Sequence, residues 1–311
     1  VKQKFKFAAV LFSFAAFSAC SSEQKVADPN AHSNLKVAPE MGATTPSNLT
    51  STPTQAEKAQ AEVVLPKTLQ AAVNSSYRSI DNTNRDQYRH PLETLKFFGL
   101  QPNMTVVEIT PGGGWYTEIL APFLASNGQY IGAIPPAGDS ATQNEGNAKV
   151  IAWLKSHKEF DGHETIADFR PPLALELAPE GTADMVVTFR NIHNWIASGN
   201  EDAVFAAFFK ALKPGGVLGV VEHRADPKTK RDPKASSGYV LEKDVIAFAK
   251  KAGFKLEAKS QLNSNKKDKK DYADGVWTLP PTLRLKDKDR EKYLAIGESD
   301  RMTLKFVKPT K

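Results

Sequence analysis

Residues 106–120 read VVEITPGGGWYTEIL. An apolar run carries one acid, Glu108, and leads through Thr110 and Pro111 to Gly112, Gly113 and Gly114, with Trp115 and Tyr116 behind them. Consecutive glycines let a ligand approach the backbone closely, so this stretch is the first candidate for a binding loop. A phosphate-cradling loop would need Gly-Lys-Ser/Thr at its end, and none is present. A dinucleotide fingerprint needs G-x-G-x-x-G, and Thr117 stands where the third glycine belongs. Further reactive side chains follow two other apolar runs. Arg190, Asn191 and His193 come after residues 184–189, and Glu222, His223 and Arg224 close residues 217–222. His193 has the chemistry of a proton acceptor, the ordinary imidazole pKa being about 6.5; a hydrogen-bonded structural histidine is the competing reading. Arg89 and His90 lie in a leading segment that could close over a pocket. Six histidines and one cysteine at scattered positions lack metal-ligand spacing, so no metal is expected.

These residues need a frame, and the hydrophobic pattern supplies one. Short apolar runs predict strands over residues 105–110, Gln129–Ile134, 164–167, 184–189, 217–222, 254–259 and 302–307. Helices are expected over 68–79, over 85–98 with a break at Pro91, and over 115–125, bent or ended near Pro122. Further helices are expected over 149–157, 202–212 and 242–252. Lys213-Pro214-Gly215-Gly216 reads as a helix stop followed by a turn. Strands that are apolar on both faces and alternate with helices imply a parallel sheet covered on both sides, an α/β Rossmann-like doubly wound fold. In such sheets ligands bind beyond the carboxyl ends of the strands, where the strand order reverses. The last two strands follow one another across a polar insertion, which suggests an antiparallel edge. The insertion contains NKKDKKD at 265–271, expected to be a solvated loop.

The chain has 311 residues, of which 41% are apolar and 24% charged, a balance that places it among ordinary globular proteins. Residues 1–20, VKQKFKFAAVLFSFAAFSAC, combine a lysine-rich start, an apolar run and small residues before Cys20. That is the layout of an export signal, with an apolar run too short to span a bilayer comfortably. Its end resembles the lipobox of bacterial lipoproteins, which implies cleavage after residue 19 and lipidation of Cys20. Removing Lys2, Lys4 and Lys6 from a formal charge of +6 leaves +3, too little to argue for nucleic acid. Residues 20–64 are rich in Ser, Thr, Ala, Asn, Gln and Pro and are expected to be a disordered linker. One folded domain is expected over residues 65–311.

Glu108-Ile-Thr-Pro-Gly-Gly-Gly114 resembles the S-adenosylmethionine loop of class I methyltransferases, roughly E-x-G-x-G-x-G, with Thr110 in place of the first glycine. Ala211-Leu-Lys-Pro-Gly-Gly-Val217 before a strand ending in an acid is a recurrent signature of those enzymes. So are the run from Ala183 to Trp195, with its histidine, and Lys251-Ala-Gly-Phe254. Together with the segment 85–100 they resemble a bacterial family of such methyltransferases over residues 85–308. The resemblance implies a seven-stranded, mostly parallel sheet with an antiparallel last strand, and S-adenosylmethionine as the cofactor. It implies that Glu108 meets the ammonium of the methionine moiety; capping of a neighbouring helix is the alternative. Thr110, Pro111, Gly112, Gly113, Gly114, Tyr116 and Asn191 would shape or line the cofactor site, and Trp115 and Tyr116 could equally pack on the sheet. Asp168 would accept a hydrogen bond from the adenine amino group, or serve as a turn residue. Arg89, His90, Glu222 and His223 would contact a small-molecule substrate, and His193 would take its proton. One element of the family pattern is missing: strand two ends in Pro135 and Pro136 with no acid for the ribose, Asp139 being the nearest.

The export signal and the cofactor pull in different directions, because S-adenosylmethionine is made in the cytoplasm. Three readings follow. One is an exported methyltransferase, anchored in the membrane through Cys20 and facing the periplasm of a Gram-negative bacterium. The others are a ligand-binding protein that kept the fold without methyl transfer, and an envelope scaffold.

Overall fold

The computed structural model describes residues 64–138 and 140–310. The export signal, Cys20, the linker up to residue 63, and Asp139 lie outside the described residues.

Seven strands form one sheet: β1 (Thr105–Ile109), β2 (Gln129–Ile134), β3 (Glu164–Asp168), β4 (Ala183–Phe189), β5 (Leu212–His223), β6 (Lys255–Ser260) and β7 (Arg301–Val307). Their order is β3-β2-β1-β4-β5-β7-β6. β1 pairs in parallel with β2 and with β4, and β7 runs antiparallel to both of its neighbours. The chain therefore reverses its direction of travel across the sheet between β1 and β4, where a ligand crevice opens in such folds. Successive residues of a strand face opposite sides. Val106 accordingly joins the core on one face while Val107 and Ile109 join the core on the other, and all three are buried.

On one face lie α1 (Leu69–Val73), α4 (Pro91–Phe98), α5 (Thr117–Leu124) and α6 (Ala141–Ser156). α7 (Ile192–Ser198), α8 (Glu201–Ala211) and α9 (Glu242–Lys251) cover the other. Between α1 and α4 stand two single turns, α2 (Ile80–Thr83) and α3 (Asp86–Arg89), and α10 (Arg290–Ile296) precedes β7. α4 packs so closely that a Cβ on Gly219 of β5 would come within 2.6 Å of Phe98 Cδ2.

The antiparallel edge expected of the last two strands is present, with β7, whose Met302, Leu304 and Phe306 are buried, inside and the lysine-bearing, mostly exposed β6 outermost; several other expectations are corrected. That placement of β7 and β6 follows from burial: Met302, Leu304 and Phe306 give β7 an apolar face to hide, whereas the lysines of β6 suit an edge. The helix expected over 68–79 ends at Val73, and residues 192–198, for which no helix was expected, form α7. Lys213-Pro-Gly-Gly216 lies within β5, across a shift in its register with β4. The break at Pro91 is present: His90 adopts φ 44° between α3 and α4. The charged run 265–271 is anchored. Asp268 is buried, accepting from Tyr239 Oη at 2.9 Å and from the Asp300 backbone N–H at 2.8 Å. Asn265 Nδ2 donates to the carbonyls of Ile296 and Glu298 at 2.8 and 2.7 Å. These bonds fasten the β6–β7 insertion beside the carboxyl ends of β4 and β5.

Candidate functional site

Two cavities open at the carboxyl rim, of about 280 Å³ and about 930 Å³. They share Thr110, Gly112, Gly113, Asn191, His193 and Trp277 as a common wall. The backbone bends sharply where each central strand ends. Thr110 after β1 has φ 49° and Arg190 after β4 has φ 64°, both in the left-handed region that side chains other than glycine seldom occupy. Such strain persists only where the surroundings enforce it, and it clusters at functional sites. Thr110 thus keeps the conformation that a glycine would adopt freely. Beyond it, a Cβ built on Gly112 or Gly113 would meet no atom within 4 Å, so the loop turns bare peptide toward open space. Gly114 is different: its φ is 85°, and a Cβ would lie 3.1 Å from Val150 Cγ2. Asn191 ties the rim together, Nδ2 donating to the Ile109 carbonyl at 2.9 Å.

Glu108 lies at the base of the smaller cavity and is 2% exposed. Its Oε2 accepts from Thr117 Oγ1 at 2.8 Å and from Tyr130 Oη at 2.9 Å, so it caps no helix backbone. Burial raises its pKa to about 7, against the lowering effect of those two bonds. Tyr116 stacks on Phe189 with ring centroids 3.6 Å apart, and burial pushes its hydroxyl up to about 12. Trp115 also lines this cavity while its Nε1 donates to the Asn82 carbonyl at 2.8 Å. Both aromatic residues therefore pack and wall the site at once.

His193 is buried at the start of α7, where its Nδ1 lies 3.2 Å from Glu222 Oε1. Glu222 is fully buried and also accepts from the backbone N–H groups of Ile192 at 2.6 Å and His223 at 2.8 Å. With only acceptor atoms on the carboxylate, Nδ1 carries the proton, and His193 Nε2 is left with a lone pair. His223 Nδ1 lies 2.6 Å from Ser299 Oγ, and burial, then nearby His193 and arginines, holds its imidazole pKa well below the usual value. The possible ligand atoms of His193, Glu222 and His223 fall within 4.8 Å of one another, a grouping that their scattered sequence positions concealed. Glu222 is already engaged by N–H donors and His223 Nδ1 by Ser299, so the side-chain pair here is His193–Glu222, an arrangement suited to orienting an imidazole.

The smaller cavity is walled by Arg85, Arg89 and Arg190, with Glu298 among them. Glu298 receives Arg85 Nε at 2.7 Å, Arg89 Nε at 3.2 Å and Arg301 Nη1 at 3.0 Å. Burial opposes its charge, yet Arg89, Arg301, Arg190 and Arg85 outweigh that effect and bring its pKa to about 2. Enclosure pushes Arg190 down to about 10, with Glu298 pulling up and Arg301 and Arg85 pushing down.

The rim thus gathers Glu108, Thr110, Pro111, Gly112, Gly113, Tyr116, Asn191, His193, Arg89 and His223 onto cavity walls. Four expected contacts fall elsewhere. Gly114 sits behind the loop against α6. Asp168 is exposed at the end of β3 and lines neither cavity, Phe169, Arg170 and Pro171 forming the wall there. His90 occupies the left-handed hinge, off both cavities, with Nδ1 buried and unpartnered. Glu222 works from behind His193. Where β2 would offer an acid, the wide cavity presents Pro135, Pro136, Ser140, Thr142 and Gln143. The residues missed from the sequence are Arg85, Trp277, Glu298 and Ser299. The last three belong to the β6–β7 insertion, whose sequence signals only loop.

No protein-family model matches the chain, and no curated protein matches its sequence. Solved structures resemble it in shape. A [4+2]-cyclase, SpnF, aligns with a TM-score of 0.50 at 15% identity, over 78% of this chain and 92% of its own. A SAM-dependent methyltransferase from Aquifex aeolicus aligns at 0.47 and 16%, over 78% and 98%. An arsenic(III) S-adenosylmethionine methyltransferase from Chlamydomonas reinhardtii aligns at 0.45 and 14%, over 79% and 74%. At such identities the likeness concerns the fold alone. The chain's seven-stranded, mostly parallel sheet with antiparallel β7 is a Rossmann-like doubly wound fold, which the likeness to the cyclase shares.

Proposed function

We propose that this protein is an S-adenosylmethionine-dependent methyltransferase acting on a small molecule. The observation that carries the reading is the bare peptide of Gly112 and Gly113 facing open space at the sheet's reversal, beside buried Glu108. That cradle fits the cofactor: Glu108 would receive the ammonium, the loop 110–113 would follow the methionine moiety, and the wide cavity would take the nucleoside. When bound, S-adenosylmethionine supplies a methyl group already activated by its sulfonium. The protein's task is then mainly alignment of the nucleophile, for which the shared wall between the two cavities is the meeting place. His193, held in one tautomer by Glu222, would accept the proton of an oxygen or nitrogen nucleophile at Nε2. We place the protein in the periplasm of a Gram-negative bacterium, lipid-anchored at Cys20 and carrying its domain, residues 65–311, on the linker 20–64.

A second reading, a ligand-binding or scaffold protein without methyl transfer, is favoured by the acid-free end of β2 at Ile134-Pro135-Pro136. The fold also carries a [4+2]-cyclase, so it does not by itself dictate the reaction. Calorimetric titration of the full chain with S-adenosylmethionine and S-adenosylhomocysteine separates the two. Micromolar binding that disappears in a folded Gly113→Arg variant, whose side chain would fill the open space over the loop, is the expected result. If neither compound binds, methyl transfer is abandoned for the second reading.

A further inference from the structure

The small cavity carries more positive charge than the protein neutralises. Arg85, Arg89 and Arg301 share one acid, Glu298, and each commits a single nitrogen to it. Arg85 Nη2 and Arg89 Nη2 are left buried with no hydrogen-bond partner, and Arg89 is only 3% exposed. Arg190 enters from the end of β4 and, among the described residues, forms no ion pair. Arg85, Arg89 and Arg190 thus line the cavity with Arg301 beside them; of the carboxylates near them, Glu298 pairs with three of the four, Glu108 accepts from Thr117 and Tyr130, and Glu222 is taken up by Ile192, His193 and His223. Leaving buried charged donors unpaired is costly, and the deficit is relieved if an anion enters. A guanidinium fork suits a carboxylate or phosphate, which it can grip through two parallel N–H bonds. Arg89 is held for this role by Trp115, whose ring centroid lies 4.7 Å from the guanidinium carbon.

We propose that this cavity is an anion-binding subsite that takes the carboxylate or phosphate group of the acceptor. The term acceptor rests on the methyl-transfer reading; the anion site does not. A cavity of about 280 Å³ admits the head of a small molecule and no polymer. His193 stands on the wall shared with the wide cavity, so an acceptor anchored by the arginines would present its nucleophile where the base and the donor meet. The carboxylate of the donor is the same chemistry from another source.

The test is calorimetric titration of the full chain with inorganic phosphate, alone and with saturating S-adenosylhomocysteine. Saturable phosphate binding is expected, weakened ~10-fold or more by Arg190→Gln and partly restored in Arg190→Lys. Arg190 is chosen because its side chain makes no internal ion pair, and unchanged thermal melting verifies the fold. Binding that persists with S-adenosylhomocysteine present supports an acceptor subsite. Absence of saturable binding, or wild-type affinity in Arg190→Gln, overturns the anion site. Displacement of phosphate by S-adenosylhomocysteine assigns the arginines to the donor and overturns the acceptor role. If phosphate binds through Arg190 while S-adenosylhomocysteine does not bind at all, the methyl-transfer reading falls and the anion site stands.

Discussion

Glu108 makes a measurable prediction at the scale of one side chain. Its pKa is about 7 in the folded protein, above the ordinary 4.5. The folded state therefore holds a proton between those values that the unfolded chain has released. Its stabilising share is complete below pH 4.5 and is lost as pH rises through 7, a change of about 3 kcal/mol. Glu108→Gln should be more stable than the wild type at pH 8 and little different at pH 4.5, as read by urea denaturation. Equal behaviour at both values would show that Glu108 is not desolvated as described. The same variant should weaken S-adenosylmethionine binding, most clearly above pH 7 where the carboxylate is ionised. His193 makes a kinetic prediction. His193→Gln should lower methyl transfer by ~10²-fold or more while S-adenosylhomocysteine affinity is kept. Unchanged turnover would leave His193 a structural residue bonded to Glu222.

Elements matter here by how closely they approach. Helix α4 lies on β5 with Phe98 filling the space where Gly219 lacks a side chain. Gly219→Ala would force an atom into contact at 2.6 Å and should cost about 1–3 kcal/mol, seen as a lower denaturation midpoint. A neutral result would mean that α4 shifts easily, and then Arg89 just ahead of it would not be rigidly placed. The α3–α4 junction has its own logic. Pro91 opens α4 and His90 takes the left-handed turn, which brings Arg89 from the end of α3 against Glu298. The β6–β7 insertion meets it from the other side through Glu298, Ser299 and Trp277.

For the molecule as a whole, the two cores on the faces of the sheet make a rigid support, and the rim carries the chemistry. Among the described residues no helix is long and apolar enough to cross a membrane; the attachment proposed above is the lipid at Cys20. Cys20→Ser should move the protein from the membrane to the soluble fraction on cell fractionation. Continued membrane association would remove the lipid anchor from the picture. A single acyl modification gives only weak attachment, and two or more chains are needed for a stable one.

The sequence by itself determined the seven strands, most of the longer helices between them, the glycine loop and the break at Pro91. Each of these is written locally, in an apolar period, a run of glycines or a ring that cannot donate a hydrogen bond. Glu108 and His193 were legible for the same reason, because Glu108 lies in a readable strand and His193 follows one. Only the tertiary structure decided that β7 lies inside the sheet and that Glu222 stands behind His193. It alone brought Arg85 and Arg89 to Glu298 across more than two hundred residues of chain. Such meetings are set by how packed elements cross and by which charges are left to compensate one another. Charge compensation at long range leaves no periodic mark in the chain, so charged residues with no readable partner, such as Arg85 and Glu298, became walls of the cavity.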